Sequence, residues 1–97
     1  MEPAASRYYY ALFQAAVHRL TALGWTPGRL ASGAVEWTHT SVQNNILLAR
    51  GRRSDRELFT VMRRMREKAD YGEFDVDHEP LAAHVAAVRE FVEQVTR

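Results

Sequence analysis

Cysteine is absent from the 97 residues, and long apolar runs are absent as well. Without cysteine the chain has no disulfide, thiolate nucleophile or thiolate metal ligand, which fits a reducing compartment. No stretch approaches the roughly 18 apolar residues that suggest a membrane span, and residues 1–7 lack the apolar core of a signal peptide. We therefore expect a cytoplasmic protein with no membrane partner.

Patterns that would indicate a metal site or a catalytic centre are missing too. The four histidines form no His-x-x-x-His pair and have no cysteine partner, so we expect no metal site. The acidic run from Asp75 to Glu79 lacks the glycine and the terminal glutamate of a calcium-binding loop, which favours a solvated acidic loop. No glycine-rich phosphate loop, nucleophile elbow or Ser-His-Asp arrangement is recognisable. Taken alone, the residues indicate neither a catalytic centre nor a cofactor.

Composition and length indicate one globular domain. Hydrophobic residues make up 46% of the chain and charged residues 26%, values far from those of disordered proteins. A chain of 97 residues has room for one hydrophobic core, so we expect a single domain over residues 1–97. A small domain buries a smaller fraction of its surface than a large one, and an apolar face left uncovered favours a homodimer.

The first half of the chain predicts two helices. Apolar residues at three- and four-residue steps predict a helix over residues 5–23, which Gly24 and Pro27 end. The apolar stripe of this helix contains Tyr9, Leu12, Phe13, Ala16, Val17, Leu20 and Leu23. Residues 24–37 contain three glycines and two tryptophans, which predicts a connection with room for a short helical turn. A second helix over residues 38–49 is indicated by the spacing of Val42, Ile46 and Ala49.

The second half predicts two further helices. Ser54 and Glu57 form a capping-box pattern that starts a third helix, and Gly72 suits its end. The apolar stripe of the third helix contains Leu58, Val61, Met62, Met65 and Ala69. Pro80 suits the first turn of a last helix. The stripe of that helix contains Leu81, Val85, Val88, Val92 and Val95, with His84 and Phe91 beside it. We therefore predict an all-α protein, an antiparallel bundle of about four helices.

The predicted third helix lies in a strongly basic part of the chain. Residues 50–68 include eight arginine or lysine residues and three acidic residues, a local net charge of +5. A basic helix attracts phosphate backbones by charge alone. This makes Arg56, Arg63 and Arg64 candidate residues for binding RNA or a nucleotide, although a solvated basic face is the simpler alternative. Arg66 falls at the edge of the apolar stripe, where we expect it to be partly buried.

Three consecutive tyrosines lie near the start of the predicted first helix. Tyr8, Tyr9 and Tyr10 cannot share one helix face, so at least one should point away from the core. An outward aromatic ring suits stacking or a protein interface. The alternative is that the three tyrosines mark the N-terminal edge of the core.

Two segments carry a recognisable pattern. Residues 9–15 read Tyr-Tyr-Ala-Leu-Phe-Gln-Ala, and residues 66–71 read Arg-Glu-Lys-Ala-Asp-Tyr. The first resembles the Tyr-Tyr-Ala-x-Phe-x-Ala helix of HEPN-domain proteins, small prokaryotic helical bundles often encoded beside minimal nucleotidyltransferases. The second is similar to the Arg-x-x-Ala-Asp-Tyr signature of one HEPN branch, which often carries a His-Ser pair where His39 and Ser41 stand here. The resemblance covers roughly residues 6–95.

The chain departs from the HEPN pattern in two places. Many HEPN proteins have a further helix before the Tyr-Tyr-Ala helix, whereas five residues precede Ser6 here. The resemblance thus implies a bundle without the first helix of the family, with apolar surface for a partner chain. HEPN ribonucleases have an arginine followed after four to six residues by a histidine, and Tyr71 takes that place after Arg66. A phenol, with a pKa of about 10, is a poorer general base near neutral pH than imidazole, with a pKa of about 6.5.

The resemblance implies two functions. The first is a non-catalytic HEPN module that forms a homodimer and acts with a minimal nucleotidyltransferase, a nucleotide or RNA, including within a toxin–antitoxin pair. Arg66, Asp70 and Tyr71 would then lie near the shared groove, and Arg66 and Asp70 would join the binding residues. The second is a metal-independent endoribonuclease toxin that uses Arg66 with Tyr71, or with a histidine such as His39 brought near Arg66 by folding.

Two alternatives that involve no nucleic acid stay open. Arg66 and Asp70 are spaced i, i+4 and can form an ordinary helix ion pair, with Tyr71 closing the core. The whole chain can also be a structural helical partner whose tyrosines and valines form its interface.

Overall fold

The computed structural model describes residues 4–70 and 82–96. These residues form four helices: α1 (Ala4–Ala22), α2 (His39–Arg50), α3 (Arg53–Asp70) and α4 (Ala82–Val95). They contain no β-strand, which confirms the predicted all-α bundle of about four helices. Helices α1 and α3 each pack against the other three helices, so this pair forms the centre of the bundle. None of these helices is both long and apolar enough to cross a lipid bilayer.

Local hydrogen bonds explain the bounds of α1 and α2. The chain leaves α1 through Gly24, whose φ of 86° suits glycine, and the Trp25 N–H bonds to the carbonyl of Leu20 at 2.9 Å. Thr38 caps α2: its Oγ1 accepts from the Ser41 N–H at 3.1 Å, and the Ser41 Oγ accepts from the Thr38 N–H at 3.3 Å. The pattern that ends the first predicted helix is therefore confirmed, and α2 has a capping box that we did not predict.

The predicted start of the third helix is wrong in detail. Helix α3 begins at Arg53, so Ser54 lies within its first turn and does not precede the helix as a cap. Gly51, with a φ of 66°, ends α2, and Arg52 alone separates it from α3. The Asp55 N–H bonds to the carbonyl of Arg52 at 3.1 Å, which closes the first turn earlier than expected. The predicted end of the third helix at Gly72 and the predicted start of the last helix at Pro80 lie outside the described residues.

The connection between α1 and α2 contains no helical turn. It forms an isolated antiparallel bridge between Arg29 and Val35. The Gly33 N–H bonds to the carbonyl of Leu30 at 2.9 Å, and Gly33 has a φ of 89°, which a helical turn does not allow. The expectation of a short helical turn here is therefore wrong.

The core follows the predicted stripes with three exceptions: Ala15 and Phe59 are buried outside them, and Leu23 is exposed. The buried apolar residues come from all four helices: Tyr9, Leu12, Ala15, Ala16, Leu20, Val42, Ile46, Phe59, Met62, Val88, Phe91 and Val95. Leu23 is 46% exposed, because α1 ends at Ala22 and the helical periodicity no longer applies beyond it. Phe59 was absent from the predicted stripe, yet it is 1% exposed and packs edge-on against Phe91, with ring centroids 5.7 Å apart.

A polar cluster fixes the α2–α3 junction against α4. The Arg50 Nε donates to the Asp55 carboxylate at 2.7 Å, and both side chains are largely buried. The Arg50 Nη2 donates to the Gln94 Oε1 at 2.6 Å, and its guanidinium lies 5.1 Å from the centroid of the Phe91 ring. These contacts set the position at which the basic helix α3 begins.

Candidate functional site

The predicted binding residues fall on two different sides of α3. Arg56 and Arg64 are exposed and Arg63 is half-buried, and all three lie along the side that faces α2. Arg66 turns to the other side, toward α1. Asp70 ends the helix, although its side chain is not described, and Tyr71 lies outside the described residues. The structure therefore brings the three basic residues together on the α2 side, and Arg63 also lies close enough to Arg66 for both charges to act on His39.

A surface groove, here called the α2–α3 groove, runs between these two helices. Its wider part has a volume of about 550 Å³ and is lined by Leu47, Arg53, Arg56, Glu57, Thr60 and Val61. Its narrower part has a volume of about 330 Å³ and is lined by Gln43, Thr60, Arg63, Arg64 and Glu67. The two parts adjoin at Thr60.

Thr60 lies at the midpoint of the α2–α3 groove and links its two walls. Its hydroxyl donates to the carbonyl of Arg56 at 3.0 Å and accepts from the Gln43 amide at 3.0 Å. The hydroxyl thus has both its proton and an acceptor position in use. This fixes the distance between α2 and α3 at the point where the wider and the narrower parts meet.

The charge of the α2–α3 groove is positive. Four arginines and two glutamates line it, which gives a net charge of +2. In the narrower part the Arg63 Nε lies 3.3 Å from the Glu67 carboxylate, an exposed i,i+4 pair. The side chains of Arg53, Arg56 and Arg64 are exposed at the rim. Guanidinium groups placed in this way can bind phosphate with two parallel hydrogen bonds.

A second constellation, here called the Arg66 cluster, consists of Tyr9, Tyr10, His39 and Arg66. The Cζ atom of Arg66 lies 4.8 Å from the centroid of the Tyr10 ring and 5.6 Å from that of Tyr9. The Arg66 Nη2 also donates to the Tyr10 hydroxyl at 2.9 Å. Arg66 is half-buried, as predicted. The groups described around its guanidinium are tyrosines of α1, whereas we expected Asp70 or a partner chain to hold it.

His39 joins the Arg66 cluster from the first turn of α2. Its Nδ1 shares a hydrogen bond with the Tyr9 hydroxyl, and its ring centroid lies 5.3 Å from the ring centroids of both Tyr9 and Phe13. Burial, followed by the charges of Arg63 and Arg66, lowers the pKa of His39. Burial also raises the pKa of Tyr9. Near neutral pH, therefore, an uncharged imidazole faces an uncharged phenol.

The three consecutive tyrosines differ in burial, as the sequence predicted. Tyr9 is 1% exposed and belongs to the core, whereas Tyr10 is 38% exposed. The prediction that one tyrosine points outward is thus confirmed. The contact between Tyr10 and Arg66 joins residues that are 56 positions apart, and helical periodicity does not predict such a pairing. The aromatic triplet and the position of Arg66 at the edge of its stripe were the only hints in the sequence.

Within residues 4–70 and 82–96, no three histidine, aspartate or glutamate side chains lie close enough together to hold a metal ion. Comparison of the chain with protein-family models, with curated protein sequences and with solved structures finds no match. The resemblance to HEPN proteins therefore stays a prediction from the sequence motifs. Function has to be inferred from the α2–α3 groove and the Arg66 cluster.

Proposed function

We propose that this protein is a non-catalytic RNA-binding module of the HEPN type, with the α2–α3 groove as its RNA-binding surface. The observation that supports the proposal is the placement of four arginines along the two adjoining parts of this groove: Arg53, Arg56, Arg63 and Arg64. Arg56 and Arg63 are seven residues apart on the same helix, a separation of about 10 Å along its axis. A chain of phosphates can therefore contact several guanidinium groups at once.

RNA suits this groove better than a small anion does. The groove is long, open and lined by arginine forks, which support several separate phosphate contacts. Releasing counterions at each contact is the main source of affinity for such a surface. A single small anion would use one or two of the four arginines.

The test measures RNA affinity at increasing salt. Fluorescence anisotropy with a labelled single-stranded RNA should give an affinity that falls steeply between about 50 and 200 mM salt. The double variant Arg63→Ala/Arg64→Ala should bind more weakly, and the slope of log affinity against log salt should fall by about 1.4 because two phosphate contacts are lost. Salt-independent binding, or an unchanged slope in the variant, would refute the proposed surface.

A matched control separates the groove from net charge. Arg7 on α1 and Arg89 on α4 are both exposed, and neither lines the groove. The double variant Arg7→Ala/Arg89→Ala loses the same two charges and should keep nearly all of the wild-type affinity. An equal loss in both double variants would mean that overall charge, and not the groove, attracts RNA.

The resemblance to HEPN proteins also suggests a protein partner, and this part of the proposal rests on the resemblance alone. A minimal nucleotidyltransferase, paired with this chain as in a toxin–antitoxin system, is the partner that the HEPN motifs suggest. An adjacent gene for such an enzyme, and co-purification of the two products, would support this assignment.

A metal-independent endoribonuclease is the second candidate, and one observation favours it. Folding brings His39 and Arg66 against the same Tyr9 ring, at 5.3 Å between ring centroids and 5.6 Å from the guanidinium carbon. An uncharged imidazole can accept a proton from a 2′-hydroxyl, and a guanidinium can stabilise the charge on a phosphate. When Nδ1–H donates to the Tyr9 oxygen, the Nε2 atom of His39 is the free acceptor.

A further inference from the structure

The wider part of the α2–α3 groove contains a carboxylate that a simple phosphate track does not explain. Glu57 lines this part together with Arg53 and Arg56. Its negative charge repels phosphate and weakens the attraction of the neighbouring arginines. Because Glu57 opposes binding of the RNA phosphate backbone, a ligand group that donates hydrogen bonds suits this position better than a phosphate does.

Glu57 also differs from the second glutamate of the groove. Glu67 lies 3.3 Å from the Nε of Arg63, so its charge is partly offset. Glu57 stands four residues after Arg53, the spacing at which helix ion pairs form. Over the described part of the chain, however, no ion pair joins Glu57 to an arginine within 4.0 Å. The Glu57 carboxylate is thus available to accept hydrogen bonds from a ligand.

Apolar side chains lie beside this carboxylate. Leu47 of α2 and Val61 of α3 line the same wider part, and both are half-buried. An apolar surface next to a hydrogen-bond acceptor suits a nucleobase, whose face is apolar and whose edge is polar. The narrower part, with Arg63 and Arg64, has no aliphatic lining residue and suits the backbone.

We propose that the wider part of the groove binds one unstacked guanine base of single-stranded RNA, with Glu57 as the residue that selects it. This inference rests on the proposed RNA-binding function. Guanine alone presents two adjacent donors on its Watson–Crick edge, N1–H and the N2 amino group, which match the two oxygens of a carboxylate. Adenine and cytosine each place one amino group beside an acceptor nitrogen, and uracil flanks its single N–H with carbonyls. A base paired in a duplex has no free edge to offer.

The experiment compares oligouridines that carry one central substitution. Anisotropy is measured with uridine, adenosine, cytidine, inosine or guanosine at the centre of the labelled strand. Guanosine should bind about fivefold more tightly than uridine, adenosine or cytidine, the lower range for a bidentate base contact. Inosine, which lacks the N2 amino group, should fall between them. The variant Glu57→Ala should bind all five strands within about twofold of one another, with affinity for plain oligouridine equal or higher because a repulsive charge is gone.

Glu36 provides the control, since it is an exposed acid in the connection before α2 and does not line the groove. Glu36→Ala removes the same charge and should keep the guanosine preference. Equal, salt-dependent binding of all five strands by the wild type would overturn the guanine site and leave the proposed RNA-binding function intact. The same holds if duplex RNA competes as well as single-stranded RNA. Absence of binding to every strand at low salt would overturn both.

Discussion

At the scale of single residues, Arg66 and Tyr71 decide between the two candidate functions. We expect the isolated protein to cleave RNA weakly or not at all, because the HEPN resemblance aligns Tyr71 with the histidine of HEPN ribonucleases, and a phenol is in general a poorer proton acceptor near neutral pH than an imidazole. The assay incubates purified protein with mixed RNA in EDTA and compares wild type with Arg66→Ala and Tyr71→His. Activity that appears only in Tyr71→His would mean that the proton acceptor alone was missing.

The same assay can reverse this ranking. Robust cleavage by the wild type in EDTA, lost in both Arg66→Ala and His39→Ala, would favour the ribonuclease and assign the proton acceptor to His39. Loss in Arg66→Ala without loss in His39→Ala would instead exclude His39 as the proton acceptor.

His39 gives the fold a pH dependence that can be measured. Its pKa in the folded protein lies below the ordinary value of 6.5, because burial disfavours the charged imidazole. The imidazole of His39 therefore binds a proton more readily in the unfolded chain than in the folded protein. The contribution of uncharged His39 to the free energy of unfolding is complete above pH 6.5 and is lost as the pH falls through the pKa of the folded protein. The free energy of unfolding measured with urea should be lower at pH 5.5 than at pH 7.5. These two pH values lie on either side of roughly 6.5, the ordinary pKa of histidine.

A matched pair of variants isolates this effect from the other histidines. In His39→Gln the pH difference should shrink, whereas in His18→Gln, a change at an exposed position of α1, it should persist. Nuclear magnetic resonance of the imidazole C–H protons follows the His39 titration directly. A midpoint above 6.5 would show that the direction assigned here is wrong.

At the scale of helices, the junction between α2 and α3 depends on one buried ion pair. Asp55→Ala leaves the largely buried Arg50 without its carboxylate, so we expect the free energy of unfolding to fall by about 3 kcal/mol. The exposed pair of Arg63 and Glu67 supplies the comparison: Glu67→Ala should cost at most about 0.5 kcal/mol. Urea denaturation of the three proteins measures both values, and similar costs in the two variants would contradict the role given to the junction.

Helical periodicity predicted the four helices but not all that they bury. The bounds of α1 and α2 were within about one residue of the structure, since Gly24 and the polar N-terminal turn of α2 leave local signals. Phe59 was missed because α3 contacts both α1 and α4, so its buried face is wider than a single stripe. The capping box at Thr38 was missed because its reciprocal partner is Ser41, and not the glutamate or glutamine that the usual pattern requires.

The candidate site was harder to predict from the sequence than the helices were. The charge of residues 50–68 pointed to α3 as the basic helix, and the exposed arginines of the groove agree with it. The pairing of His39 with Tyr9, and of Arg66 with Tyr10, depends on how three helices meet. Contacts of this kind are set by the packing of the helices, and helical periodicity does not specify which residues they join.

At the scale of the whole molecule, we expect a homodimer in solution. A small bundle buries a smaller fraction of its surface than a large domain, and among the described residues four large apolar side chains are exposed: Tyr10, Leu23, Val35 and Leu48. Leu48 is 73% exposed on α2, so we expect it at the two-fold interface, where each copy can cover the same residue of the other. Sedimentation at micromolar concentration should give twice the 11.1 kDa of one chain, and Leu48→Glu should shift the protein toward monomer, whereas Val35→Glu, in the connection, should shift it less. A wild-type protein that remains a monomer over a wide concentration range would exclude the dimer.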